Sequence, residues 1–144
     1  MDRTLLLVSI AGERAAIASD IIRSVVELDI VTPVPRSPAH VAGLAALRSR
    51  AMTVIDCRSS LELAEAAEPS KLAVVVDVEG FLYALIVDDV VEVVPFEGEP
   101  SELRADLLPG WARASVGMVE TTAGPALVLD PIQLIEGPAK RKAA

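Results

Sequence analysis

Apolar residues run along this chain in bursts of roughly four to eight positions, each stopped by Gly, Pro, Asp or Ser, the pattern of many short strands. Strands are predicted over Thr4 to Ile10, Arg14 to Ala18, Gly43 to Leu47, Ala51 to Ile55, Leu72 to Val78, Phe81 to Val87, Gly117 to Glu120 and Ala126 to Leu129. The unbroken run Leu72-Ala73-Val74-Val75-Val76 implies strands covered on both faces, and small closed barrels achieve this. Helices are few and short. Ser19 or Asp20 is placed to cap Ile21 to Glu27, where Ile21, Ile22, Val25 and Val26 make a helical stripe. Asp88 is read as the cap of a turn over Asp89 to Val91, and Ser59 to Glu62 has capping-box spacing. Asp130-Pro131 opens a last helix, with Pro131 at the first helical position.

The pattern occurs twice. Gly12 to Asp20 and Gly80 to Asp88 both read as turn glycine, apolar strand and acidic stop, and at the same offset Val25-Val26 falls on Val93-Val94. At a slightly longer offset Gly43 lands on Gly117, Leu44 on Met118, and Val54-Ile55-Asp56 on Val128-Leu129-Asp130. A loop insertion between Val94 and Ser115 accounts for the difference, since loops absorb extra residues cheaply. Two five-stranded barrels, one per copy, are therefore expected within one domain of 144 residues. The approximate division is 1–66, completed by the C-terminal segment, and 67–136, with the boundary in Ala64 to Lys71 and a basic tail over 137–144.

Composition narrows the function. Hydrophobic residues make up 52% of the chain, yet no uncharged apolar run is long enough for a spanning helix, so a soluble cytoplasmic protein with a dense core is expected. The net charge of −8 argues against a nucleic-acid partner, because phosphate binding depends on Lys and Arg. Lys140-Arg141-Lys142 is too short a cluster to change that or to dock on a membrane. One cysteine, Cys57, and one histidine, His40, leave no disulfide and no zinc ligand set. No cofactor or metal is expected.

Candidate chemistry is sparse. Asp56 and Asp130 could act as paired carboxylates, but their matching places before helix starts favour capping. Asp88-Asp89 lacks further ligands for a metal, and His40 has no nucleophile at useful spacing and is read as a surface or supporting residue. Cys57 is expected to be buried, and Trp111 to anchor a loop by packing. Arg48 differs in kind. It and Arg50 sit in a tight hairpin whose repeat counterpart at Arg48 is Thr122, so they project a cationic fork able to hold a partner's carboxylates; a solvated turn charge is the plainer alternative.

At this hairpin the segment Thr32 to Arg58 resembles the central signature of CheW-like domains: a proline-rich approach, a Gly and Asn-Leu-Arg-Gly hairpin, an apolar strand, then Asp-Leu-Arg. Gly43, Leu47, Arg48, Val54, Asp56 and Arg58 match, while Ala46 and Ser49 stand where the signature has Asn and Gly. The resemblance spans nearly the whole chain. It implies a mainly β fold of two pseudo-repeated five-stranded SH3-like barrels packed together with short helices. It also implies a non-enzymatic adaptor, monomeric when free, that couples chemoreceptor cytoplasmic tips to the regulatory domain of the histidine kinase CheA. Ile22, Val25, Leu47 and Arg48 are then expected at the receptor, in a groove between the two subdomains, and no residue is assigned to the kinase. Two alternatives remain open. One is a divergent adaptor that competes with a standard coupling protein or serves a pathway other than motility. The other is a ligand-binding or enzymatic barrel using Asp56 and Asp130.

Overall fold

A computed structural model describes residues 3–104 and 106–138. Ten strands dominate it: β1 (Arg3–Ile10), β2 (Glu13–Ala18), β3 (Ile22–Glu27), β4 (Val41–Leu47), β5 (Arg50–Asp56), β6 (Leu72–Val78), β7 (Phe81–Ile86), β8 (Asp89–Phe96), β9 (Ser115–Thr121) and β10 (Gly124–Leu129). Three short helices accompany them, α1 (Cys57–Ser60), α2 (Pro109–Ala114) and α3 (Pro131–Glu136).

The strands form two five-stranded sheets, ordered β8-β1-β2-β10-β9 and β3-β6-β7-β5-β4. Replacing each strand by its counterpart in the repeat turns one order into the other. The expected repeat is therefore real, but its copies are interleaved. The hairpin β1-β2 joins β8, β9 and β10, with β2 running parallel to β10, while β3 to β7 make the second sheet from a continuous stretch. Sheet membership thus departs from the division at 64–71. The reason is that β2 and β7 each pair in parallel with the last strand of the other copy.

Three apolar clusters follow from this arrangement. Leu5, Leu7, Ala16, Val94, Val119, Ala126 and Val128 fill the barrel of the first sheet. Their repeat counterparts Ala73, Val75, Ala84, Val26, Ala45, Met52 and Val54 fill that of the second. The alternate residues, among them Leu6, Val8, Ile17 and Leu129 against Val74, Val76, Leu85 and Ile55, meet in a shared core between the barrels. Central strands bury both faces, which is why Leu72 to Val76 reads as continuously apolar. Each fully buried Val or Leu contributes roughly 1.5–3 kcal/mol.

Gly43 and Gly117, the glycines that carry the longer offset, have a shared physical cause. Thr32 makes an isolated bridge to Leu44, and Ser101 makes the equivalent bridge to Met118. A Cβ on either glycine would strike the crossing backbone, at Thr32 O or Ser101 O, and Gly43 also has a φ of 150°.

The helices close the seam. Asp56 caps α1 by accepting from Ser59 N at 3.3 Å, and Asp130 caps α3 by accepting from Ile132 N at 3.0 Å, as their paired positions imply. Arg113 on α2 donates to Ser60 O at 2.6 Å and to Gln133 O at 2.7 Å, and the Ser60 hydroxyl donates to Leu134 O at 2.6 Å. Trp111 is buried in the shared core, where the sequence expects an anchor.

Four local expectations are corrected. Ile21 to Glu27 is not a helix: a single 3-10 turn over Ser19–Ile21 leads directly into β3. Ile22, Val25 and Val26 are β-branched, and the segment alternates half-buried and exposed positions against β6. Asp89 to Val91 is likewise the start of β8, where Asp88 serves other partners. Ser59 does not open α1, because Asp56 already holds its amide. His40 is buried at 5% exposure rather than on the surface, with Nε2 at 2.8 Å from Ile135 O near the end of α3.

Candidate functional site

The hairpin that drew attention in the sequence closes with Leu47 opposite Arg50, leaving Arg48 and Ser49 as its two turn residues. Both have positive φ, 50° and 70°, the signature of the hairpin turns that match strand twist. Arg48 is exposed at the tip, as is Arg50, which reaches back to Gly80 O at 3.4 Å. Leu47 turns inward, packing against the core of the second barrel.

Beside the hairpin lies an apolar groove of about 780 Å³, lined by residues 26–30 on one wall, by Thr32 and residues 44–47 on the other, and by Met52. It sits between the two open edges of the second sheet, β3 and β4. This differs from the expected groove between the subdomains. The seam between the barrels is occupied by the shared core, which needs both barrels to bury it.

The four receptor-side candidates separate accordingly. Leu47 lines the groove, Arg48 stands beyond it at the hairpin tip, and Val25 is 43% exposed on the strand that forms the opposite wall. Ile22 does not join them, because it packs against the shared core at the other end of β3. The residues missed are those of the β3 wall, Val26, Glu27, Leu28, Asp29 and Ile30. Reading Ile21 to Glu27 as a helix hid the first two, although the run of β-branched residues carried the strand signal. Leu28, Asp29 and Ile30 lie beyond the strand.

A second cluster lies at the seam. Arg58 pairs with Asp88, and both line a cavity of about 200 Å³ together with Asp56, Glu65, Ser70 and Ile86. Burial raises the Asp88 pKa, but hydrogen bonds from Arg58 and from Ala11 N, with the Arg58 charge, outweigh it and hold the carboxyl below its ordinary value. Cys57 is fully buried, and desolvation, aided by the negative charges of Asp56 and Asp88, pushes its thiol pKa upward. Such a thiol is a core residue and a poor nucleophile at neutral pH. Asp56 and Asp130 are both engaged as caps, and among the described residues no three His, Cys, Asp or Glu side chains converge as metal ligands do. Nor is any described helix long and apolar enough to cross a membrane.

Comparison with known proteins places this geometry. None of the curated proteins matched the chain. Among solved structures, 15 chains match. One is the crystal structure of the scaffolding protein TtCheW from Thermoanaerobacter tengcongensis, with a TM-score of 0.79 and 23% identity over 90% of each chain, a likeness of fold. The family model of the CheW-like domain matches residues 4–139, nearly the whole sequence, with the interleaved barrels and the hairpin inside it. The chain belongs to the CheW-like domain family.

Proposed function

We propose that this chain is a non-enzymatic scaffold that couples the cytoplasmic tips of chemoreceptors to the histidine kinase CheA in the cytoplasm. The observation that supports this reading is an apolar groove lined by Leu47, with Arg48 exposed at the adjoining hairpin tip and Val25 exposed on the strand of the facing wall, in a chain of the CheW-like family. Apolar contacts at Val25 and Leu47 would supply affinity, and Arg48 would set orientation by pairing with a receptor carboxylate. Ile22 supports the site from behind, by seating β3 on the shared core. Two weak contacts on one rigid body would then gain strength through avidity in an array.

Titration calorimetry against the regulatory domain of CheA from the same organism, then against a receptor cytoplasmic fragment, tests the reading. Binding to both is the expected result. Binding to the kinase without the receptor would favour a divergent adaptor that competes with a standard coupling protein. Ala46 and Ser49 favour keeping that second reading, since both lie in the hairpin and Ser49 holds a positive φ where the family signature has glycine. Binding to neither would overturn the coupling function.

A further inference from the structure

The walls of the groove are strand edges, and the backbone shows which groups point into it. Thr32 and Leu44 exchange both backbone hydrogen bonds, each at 2.8 Å. Leu44 therefore aims its amide and carbonyl away from β5, and alternation along an antiparallel strand turns those of Ala46 the same way. The chain pairs Leu44 and then stops. Ile30, which an extended continuation of Thr32 would set opposite Ala46, is instead 76% exposed. On the facing wall Leu28 N donates to Lys71 O at 2.8 Å, so its neighbour Glu27 presents its backbone groups to the open side. Val26, Leu28, Leu47 and Met52 make the surface between apolar. In the other barrel the equivalent strands β8 and β9 come into contact, though without backbone pairing between them.

We propose that this groove is a strand-addition site, which takes an extended apolar segment of a partner protein bearing a lysine or arginine. Backbone bonds to Ala46 and Glu27 would fix its register, and every second side chain would settle on the apolar surface. Charge selects the basic residue. Glu27 and Asp29 stand on the groove wall, and neither has an ion-pair partner among the described residues. A second copy of this chain fits poorly, because its exposed apolar edge, β8, carries Asp89 and Glu92 and the net charge is −8. The strand would cover Leu47, which the proposed receptor contact also uses, so the two occupants exclude one another. The strand site itself rests on the edges of β3 and β4, the apolar surface between them, Glu27 and Asp29, and not on the coupling function.

The test is nuclear magnetic resonance of the whole labelled chain, titrated with a blocked peptide of alternating valine and threonine carrying one lysine. Shifts at the Ala46 and Glu27 amides are expected. Affinity should fall at least about tenfold, equivalent to 1.4 kcal/mol, when alternate peptide amides are N-methylated on the bonding edge. Ala46→Pro, which removes one edge N–H, should do the same. Glu27→Gln with Asp29→Asn should weaken binding severalfold at low salt without touching the strand edges, and so guards against a proline variant that fails to fold. Undiminished binding of the N-methylated peptide, shifts confined to another surface, or no shifts at millimolar peptide would each overturn the proposal.

Discussion

Arg58 grips Asp88 with two hydrogen bonds, Nη2 to Oδ2 at 2.7 Å and Nε to Oδ1 at 3.2 Å, while the same carboxylate accepts from Ala11 N at 2.7 Å. One pair thereby joins α1 to the turn between β1 and β2, and Arg58 adds the following loop through Ala64 O at 3.2 Å. About a quarter of each side chain is exposed, at 24% and 27%, so the pair is partly shielded from solvent. Arg58→Ala should cost about 1.5–3 kcal/mol, read as a lower midpoint in urea.

The Asp88 half of this pair carries a pH signature. Its folded pKa lies below the unfolded one, so its contribution is present above the unfolded value of about 3.9 and disappears as pH falls through the folded value. The stability gap between the native chain and Asp88→Asn should hold steady from neutrality to about pH 4 and narrow below it. Denaturation at stepped acid pH reads this directly, and a gap that widens in acid would refute it.

Cys57 gives the opposite sign at the other end of the scale. Burial first, then Asp56 and Asp88, raise its folded pKa, so the unfolded thiol ionises first and stability falls as pH rises above about 8.5. Thiol reagents should leave the native chain unmodified at neutral pH and react at the rate of unfolding. Cys57→Ala, though less stable, should show a shallower alkaline loss.

Gly43→Ala and Gly117→Ala should be damaging in parallel, because each new methyl group meets the backbone of a crossing loop. Overpacking of this kind costs about 1–3 kcal/mol. Gly43→Ala should cost more, since its φ of 150° also strains any side chain. Thermal midpoints of the two variants test both the loss and its order.

At the hairpin tip, Arg48→Ala should weaken binding of a receptor fragment with little change in thermal midpoint, because Arg48 is exposed. Equal binding by the variant would remove its assigned role. Ser49→Gly should raise stability by about 0.5–1 kcal/mol, since glycine accepts the positive φ without a Cβ penalty. Equilibrium urea unfolding of the Ser49 variant measures that gain.

Much of the fold was legible because the repeat is written in residues with physical duties. Gly43 and Gly117 yield to crossing loops, Asp56 and Asp130 cap helices, and the paired strand residues fill equivalent barrels. The groove was harder to see. Ile21, Ile22, Val25 and Val26 satisfy a helical stripe as well as a strand, and pairing with β6, which local sequence does not display, decided between them. The surface half of the His40 reading failed for a similar reason, since its partner, Ile135 O, is brought to it by the fold from a distant part of the chain.

The interleaving of the two copies also sets an order of events during synthesis. The barrel of β3 to β7 is continuous in sequence and can complete itself once Ile86 has left the ribosome. The hairpin β1-β2, made first, must wait for β8 and then β10 before its outer edges are paired. Its apolar strands, Leu5 to Ile10 and Ala15 to Ile17, are therefore the nascent surface most in need of protection, since they are translated before β3 to β7 yet secured after them.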